Sequence, residues 1–270
     1  MTAQIILKLG GLCPNKTAME AGFRIARKTG FEMQAIYLED QDLIKATRLG
    51  CTSELRGSGS KRCLEIHELR RELRIATRSL KKDVKRRSER AHLNVDFELL
   101  PDIEFEQFGP KCNGAELIVL GEQGSSRIVW REVLKLLDLV PTKKVLVAGR
   151  HARNSDGPVG VLVSSLAEWS CLSSMFDDVM TTSREAPIIY VVGETIPKAE
   201  ALISDIEATL NVSDVQIVPI LETNQARVTR ELDENNAGLL LLCASGPFST
   251  HKRDIETLIN VLTCPLLISA

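Results

Sequence analysis

Gly121-Glu122-Gln123-Gly124-Ser125-Ser126 is the segment whose residue types and spacing best suit chemistry. Glycines three apart let backbone N–H groups come close to an anion, and the serines stand where a helix would begin. The dipole and free donors of a helix N-terminus would then add to the attraction for a phosphate. The same residues also have a purely structural reading, a tight strand-to-helix turn capped by Ser125 or Ser126. Gly10-Gly11, ending another apolar run, could lie beside this loop. A counterpart further along, Cys243-Ala244-Ser245-Gly246-Pro247, has no first glycine, and Pro247 has no N–H to donate.

Other chemistries find no footing. The chain has no Gly-Lys dipeptide for a Walker A loop, no Gly-x-Ser-x-Gly elbow and no His-Glu-x-x-His. His67, His92, His151 and His251 have no metal-ligand spacing and read as surface residues. Glu39, Asp40 and Asp42 could hold a cation, or could be a solvated turn that complements a helix dipole. Cys13 could be a reactive thiol near a helix start, or a passive one. No catalytic residue and no metal ligand is therefore assigned.

These candidates must be positioned by an α/β scaffold. The 270 residues, 44% hydrophobic and 26% charged, suit two globular domains. The longest apolar run, AGLLLLCA at 237–244, falls far short of the ~20 residues of a membrane helix. The opening MTAQIILKLG has no basic region before its apolar stretch, so no secretory signal is expected. Seven cysteines without a Cys-x-x-Cys pair suggest free thiols and a cytoplasmic location. Aromatics at 4% are too few for a base-stacking platform.

Short β-rich runs alternate with helical periodicity, which predicts parallel sheets covered by helices. In the first half, strands are expected at 5–7, 33–38, 95–100, 117–120 and 145–147. Helices are expected at 17–28, with Gly30 as C-cap, at 128–137, and in a short α segment around Phe105 to Lys111. The second half repeats the order, with strands at 159–163, 188–192, 215–220, 239–242 and 266–269. Its helices are expected at 168–181, 198–210, 225–233 and 254–262. The polar segment from Gly149 to Gly157 reads as the linker, dividing the chain into 1–150 and 151–270.

The halves echo each other in sequence, which points to duplication. AELIVLGEQG at 115–124 matches AGLLLLCASG at 237–246; Glu132-x-Leu134 matches Glu256-x-Leu258, and Ile36-Tyr37 matches Ile189-Tyr190. The first half carries extra residues between its second and third strands, a polar and helical insert at about 41–92. Between Lys61 and His92 stand twelve Lys/Arg and five acids, a local charge of +7 in a chain whose net charge is -2. Ile66, Leu69, Leu73, Ala76, Leu80 and Val84 recur at spacings of 3 and 4, so a helix should bury that stripe and turn its arginines to water. The charged face, spanning Lys61 to Arg90, is simply solvated, a surface for an anionic partner, protein or nucleic acid, or, least favoured because no bulky aromatic lines the apolar face, a membrane-surface contact.

On the duplicated element order, the glycine loop after the fourth strand and the proline-led last strand (Thr263-Cys264-Pro265-Leu266-Leu267-Ile268), the chain resembles a tandem universal stress protein. The resemblance covers nearly everything outside 41–92. It implies two tandem flavodoxin-like (adenine nucleotide alpha hydrolase-like) domains, each a five-stranded parallel sheet with helices on both faces. It also implies a pseudo-dimer in which 143–148 faces 265–269, with further self-association possible. ATP-binding members of that family carry an Asp after the first strand and Gly-x2-Gly-x9-Gly-Ser/Thr after the fourth. Here Gly121 and Gly124 match, but Leu134 and Lys135 replace the closing pair. Gly246 and Thr257 match in the second half, but Cys243 and Glu256 do not, and Gly10 and Ser164 fill the Asp positions. The expectation is therefore a non-catalytic, stress-associated regulatory or interaction protein with degenerate nucleotide pockets and no cofactor. It would have an unknown protein partner and no membrane insertion. The alternative is an adenine-nucleotide binder, possibly a slow hydrolase, holding Mg-ATP with Gly10, Gly11, Gly121, Gly124, Ser125 and Ser126. An ATP-pyrophosphatase-like enzyme is a weaker third reading, because Ser-Gly-Gly-x-Asp-Ser is absent.

Overall fold

The computed structural model describes residues 4–10, 15–39, 44–45, 53–55, 61–63, 65–100, 108–121, 126–139, 144–149, 151–153, 156–180, 182–210, 214–221, 225–244 and 252–270. The first half runs β1 (Gln4–Gly10), α1 (Lys16–Thr29), β2 (Glu32–Leu38), β3 (Ser53–Leu55), β4 (Lys61–Cys63), α2 (Ile66–Ala91), β5 (Val95–Leu100), β6 (Ala115–Leu120), α3 (Ser126–Leu139) and β7 (Lys144–Val147). The second runs β8 (Val159–Val163), α4 (Leu166–Met180), β9 (Ile188–Val192), α5 (Ile196–Thr209), β10 (Gln216–Ile220), α6 (Gln225–Glu234), β11 (Leu239–Cys243), α7 (Lys252–Val261) and β12 (Leu266–Ser269).

Ten strands form one sheet in the order β10-β9-β8-β11-β12-β7-β6-β1-β2-β5. Within each half of this sheet every pairing is parallel, and the order 3-2-1-4-5 is that of the Rossmann-type doubly wound sheet. The halves join where β7 and β12 pair antiparallel, with Leu146 opposite Leu267 and Val145 opposite Ile268. The last strands thus face each other as expected, and each covers the other's edge. Leu146 and Leu267 occupy matching places, opposite Val119 in β6 and Leu241 in β11, so a pseudo-twofold axis passes between them.

Strand alternation produces two cores. Ile5, Leu7 and Leu9 point to the face that carries α1, the end of α2, α4 and α5. Ile6, Ile118 and Leu120 point to the face of α3, α6 and α7. Across the junction α1 packs on α4, and α3 packs on α7. The amphipathic 3.6-residue spacing of α1 supplies its buried Met19, Phe23, Ile25 and Ala26. Gly30 ends it as expected, with φ 72 and its N–H donated to the Ala26 carbonyl.

Three local expectations change. Around Phe105 to Lys111, residues 101–107 lie outside the described set, and Gly109–Cys112 is a single 3-10 turn in place of an α-helix. The polar stretch after β2 holds an antiparallel pair, β3 with β4, which three-residue strands do not announce by periodicity. Finally, α2 occupies the β2-to-β5 crossover, as α5 occupies β9-to-β10. The first half therefore has a longer crossover helix, 26 residues against 14, preceded by added chain.

Leu69, Leu73, Leu80 and Val84 of α2 are buried as the stripe requires, and Ala76 is half-buried. The expectation that every arginine faces water fails at Arg87. It donates to Glu20 Oε1 at 2.7 Å and, through Nε, to Asp83 Oδ2 at 3.0 Å, tying α2 to α1. Arg86 also pairs with Asp83.

Candidate functional site

In a 3-2-1-4-5 sheet, the crevice for ligands opens beyond the carboxyl ends of the first and fourth strands. In the first half these are β1 and β6, which bring Gly10 and Gly121 onto neighbouring strand ends. Gly10 pairs with Leu38, and Gly121 leaves β6 beside β1. Ser126 opens α3, whereas Gly11, Gly124 and Ser125 lie outside the described residues, as do Cys13, Asp40 and Asp42.

Gly121 is bound into the sheet. Its N–H donates to the Lys8 carbonyl at 2.8 Å, and its own carbonyl accepts from the Asn15 N–H at 2.9 Å. A Cβ there would come within 2.6 Å of Leu9 Cδ2 and 3.2 Å of the Lys8 carbonyl, so any larger residue must displace the end of the Leu9 side chain. Asn15 then fastens the start of α1. Its Oδ1 accepts from the Ala18 N–H at 3.1 Å, as an N-cap does, and its Nδ2 donates to the Ala148 carbonyl at 2.7 Å. Thr17 donates to the Ala152 carbonyl at 2.9 Å, so the linker between halves is held against α1.

Lys8 was legible only as a charge interrupting a strand. It is 2% exposed, on the face shared with Ile6, and its Nζ lies 3.4 Å from Glu132 Oε1 on α3. Cys112 lies on the same face. Burial pushes its thiol up to about 12, the Lys8 charge only partly opposing, so it stays protonated and unreactive at neutral pH. Cys264 is likewise raised to about 12 by burial and the nearby Asp233. Among the described residues Cys112, Cys171, Cys243 and Cys264 form no disulfide.

The corresponding crevice of the second half lies beyond β8 and β11. Here Ser164 follows β8, and its N–H and Oγ donate to the two carboxylate oxygens of Glu168 at 2.8 and 2.9 Å. Glu168 in turn donates its N–H to Ser165 Oγ, which caps α4. Glu168 is only 6% exposed, so a built-in carboxylate already uses the Ser164 donors before this helix. Glu168 could have been found from Ser165-x-x-Glu168, a capping-box spacing.

His67, His92 and His151 are exposed, and His92 takes the left-handed C-cap of α2 with φ 56. Among the described residues no group of three His, Cys, Asp or Glu side chains is arranged to hold a metal, and no helix is long and apolar enough to cross a membrane.

The pairing of β6 with β1 and of β11 with β8 makes Gly121 and Cys243 equivalent. The 115–120 and 237–242 segments also alternate between the two cores in step. Two other echoes are out of register. Ile36 shares its face with Tyr190, not Ile189. In the helices, burial matches Val133 with Ile255 and Leu136 with Leu258, not Leu134 with Leu258.

No protein-family model and no curated protein matches the sequence. Solved structures do match over nearly the whole length. A functionally unknown protein from Pseudomonas aeruginosa PAO1 is 13% identical, with 99% of this chain and 92% of that one covered at a TM-score of 0.63. A putative universal stress protein from Pseudomonas aeruginosa UCBPP-PA14 is 14% identical, with 99% and 93% covered at a TM-score of 0.58. A universal stress protein from Archaeoglobus fulgidus DSM 4304 is 12% identical, with 98% and 97% covered at a TM-score of 0.63.

Proposed function

Starting from the tandem universal stress protein fold that these matches share with the chain, we propose a non-catalytic, stress-associated regulatory or interaction protein, acting in the cytoplasm, whose two nucleotide crevices have lost their ligand. The observation that carries this reading is the use of crevice donors inside the protein. The Gly121 N–H is committed to the Lys8 carbonyl, and the Ser164 N–H and hydroxyl to Glu168. A phosphate at the second crevice would have to displace a buried carboxylate of its own sign. Sequence departures at Leu134, Lys135, Cys243 and Glu256 point the same way. The partner is a protein with an acidic surface, engaging the cationic face of α2, where Arg70, Arg71, Arg74 and Arg78 are exposed.

Thermal unfolding with and without millimolar Mg-ATP tests the reading. A ligand at ~100 times its Kd adds ~2.7 kcal/mol, which for domains of this size raises Tm by roughly 5–10 °C. No such shift is expected. A shift of that order, abolished by Gly124→Val, would replace this reading with nucleotide binding through the first-half loop.

A further inference from the structure

A cleft of about 390 Å³ lies on the outer side of α1 and α2, away from both crevices, lined by Glu20, Phe23, Arg24, Arg27, Arg87, Arg90, Ala91 and Asp156. Four guanidinium groups converge here against two carboxylates. Arg87 is neutralised within its hydrogen bonds to Glu20 and Asp83. Among the described residues Arg24 is held only by a 3.6 Å approach of Nη1 to Asp156, whose side chain is 96% exposed. Its Nε and Nη2 are buried without a hydrogen-bond partner. Those two donors share one edge of the guanidinium, the edge that binds two oxygens of one anion side by side. Burial, only partly offset by Asp156, pulls the Arg24 pKa below its ordinary value, so the charge is held there at a cost. Arg27 and Arg90, both exposed, stand at the same cleft. Phe23 and Ala91 supply apolar surface, and the volume is within the range of small-molecule sites.

We propose that this cleft between α1 and α2 binds a small organic phosphate monoester. Its dianionic group would be taken by Arg27, Arg90 and the unpartnered edge of Arg24, and its organic part would lie on Phe23 and Ala91. Two uncompensated guanidiniums match a charge of two. Arg24 Nε and Nη2 are fully buried, so the Arg24 side chain must rotate for both unpaired donors to reach one phosphate. The site does not depend on the state of the two crevices, so its failure and that of the proposed function are separable.

Phenyl phosphate and inorganic phosphate are the probes, titrated calorimetrically into the full chain. Saturable binding of phenyl phosphate is expected, tighter than that of inorganic phosphate, and weakened at least tenfold in Arg27→Gln/Arg90→Gln. The control Arg131→Gln/Arg184→Gln removes the same charge from exposed positions outside the cleft, and should bind as wild type. Arg24→Met should also weaken binding at least tenfold without lowering Tm, since it removes two unsatisfied buried donors. The proposal is overturned by absence of saturable binding, by equal loss in the control, by equal affinity for inorganic phosphate, or by unchanged binding in Arg24→Met.

Discussion

At the junction of their first and fourth strands, the two halves fill equivalent space with different atoms. The first half places Leu9 against Gly121; the second places Val163 against Cys243. The shorter valine leaves room for a side chain where the longer leucine excludes even a Cβ. One layer over, Lys8 with its partner Glu132 in the first half corresponds to Leu162, fully buried among apolar residues, in the second. The helix that follows starts on Asn15 in one half and on Ser165 and Glu168 in the other. A glycine after a fourth strand is thus explained by volume before any ligand is invoked, and its loss in the sister copy is a packing exchange.

The largest expected effect comes from placing the first half's charge in the second. Leu162→Lys should cost about 3 kcal/mol or more in urea denaturation, because it buries a charge in an apolar face. The reverse change made on both partners, Lys8→Leu/Glu132→Leu, should stay within about 1 kcal/mol, since replacing a whole buried ion pair by apolar packing is often near neutral. Equal costs would show that the two faces are not as different as their residues imply.

Exchanging the packing pair should be smaller. Gly121→Cys alone is expected to lose about 1–3 kcal/mol by overpacking against Leu9. Adding Leu9→Val should recover most of that loss, read as a positive coupling in a double-mutant cycle. Additive costs would mean that glycine is needed for something other than volume.

The smallest effect tests the other asymmetry, the long α2 against the short α5. Asp83 is partly buried, which disfavours its charge, but hydrogen bonds from Arg87 and Arg86 outweigh this and hold its carboxyl below the ordinary range. Its contribution to stability is therefore in place above the unfolded value, near about pH 4, and lost as pH falls through the lowered folded value. Asp83→Asn should destabilise by up to about 1 kcal/mol at neutral pH. The difference from wild type should close as pH is taken below about 4, followed by chemical denaturation across pH 3–7. A pH-independent difference would assign the effect to helix propensity alone.

Much of the scaffold could be read from the chain. Apolar runs and 3.6-residue spacing are local properties, so the alternation of strands and helices, the Gly30 cap and the buried stripe of α2 were legible. The 3-10 turn at Gly109–Cys112 and the short β3–β4 pair were not, because three or four residues carry too little periodicity to declare a type. Of the site, Gly10 and Gly121 were legible as strand ends, but that the two ends are neighbours was decided by the strand order. Sequence could not tell that the Gly121 N–H was already taken.

Sequence by itself determined the class of fold, the duplication and the amphipathic character of each helix, because these depend on the order of side chains along one segment. Tertiary structure decided the strand order, the register that makes Ile36 equivalent to Tyr190, and the partners of Lys8, Glu168 and Arg24. It also placed Arg24 and Arg27 of α1 beside Arg87 and Arg90 of α2, residues sixty or more apart along the chain. Those outcomes depend on which surfaces meet. Hydrogen bonds and charges act over a few ångströms in space, whatever the separation along the chain.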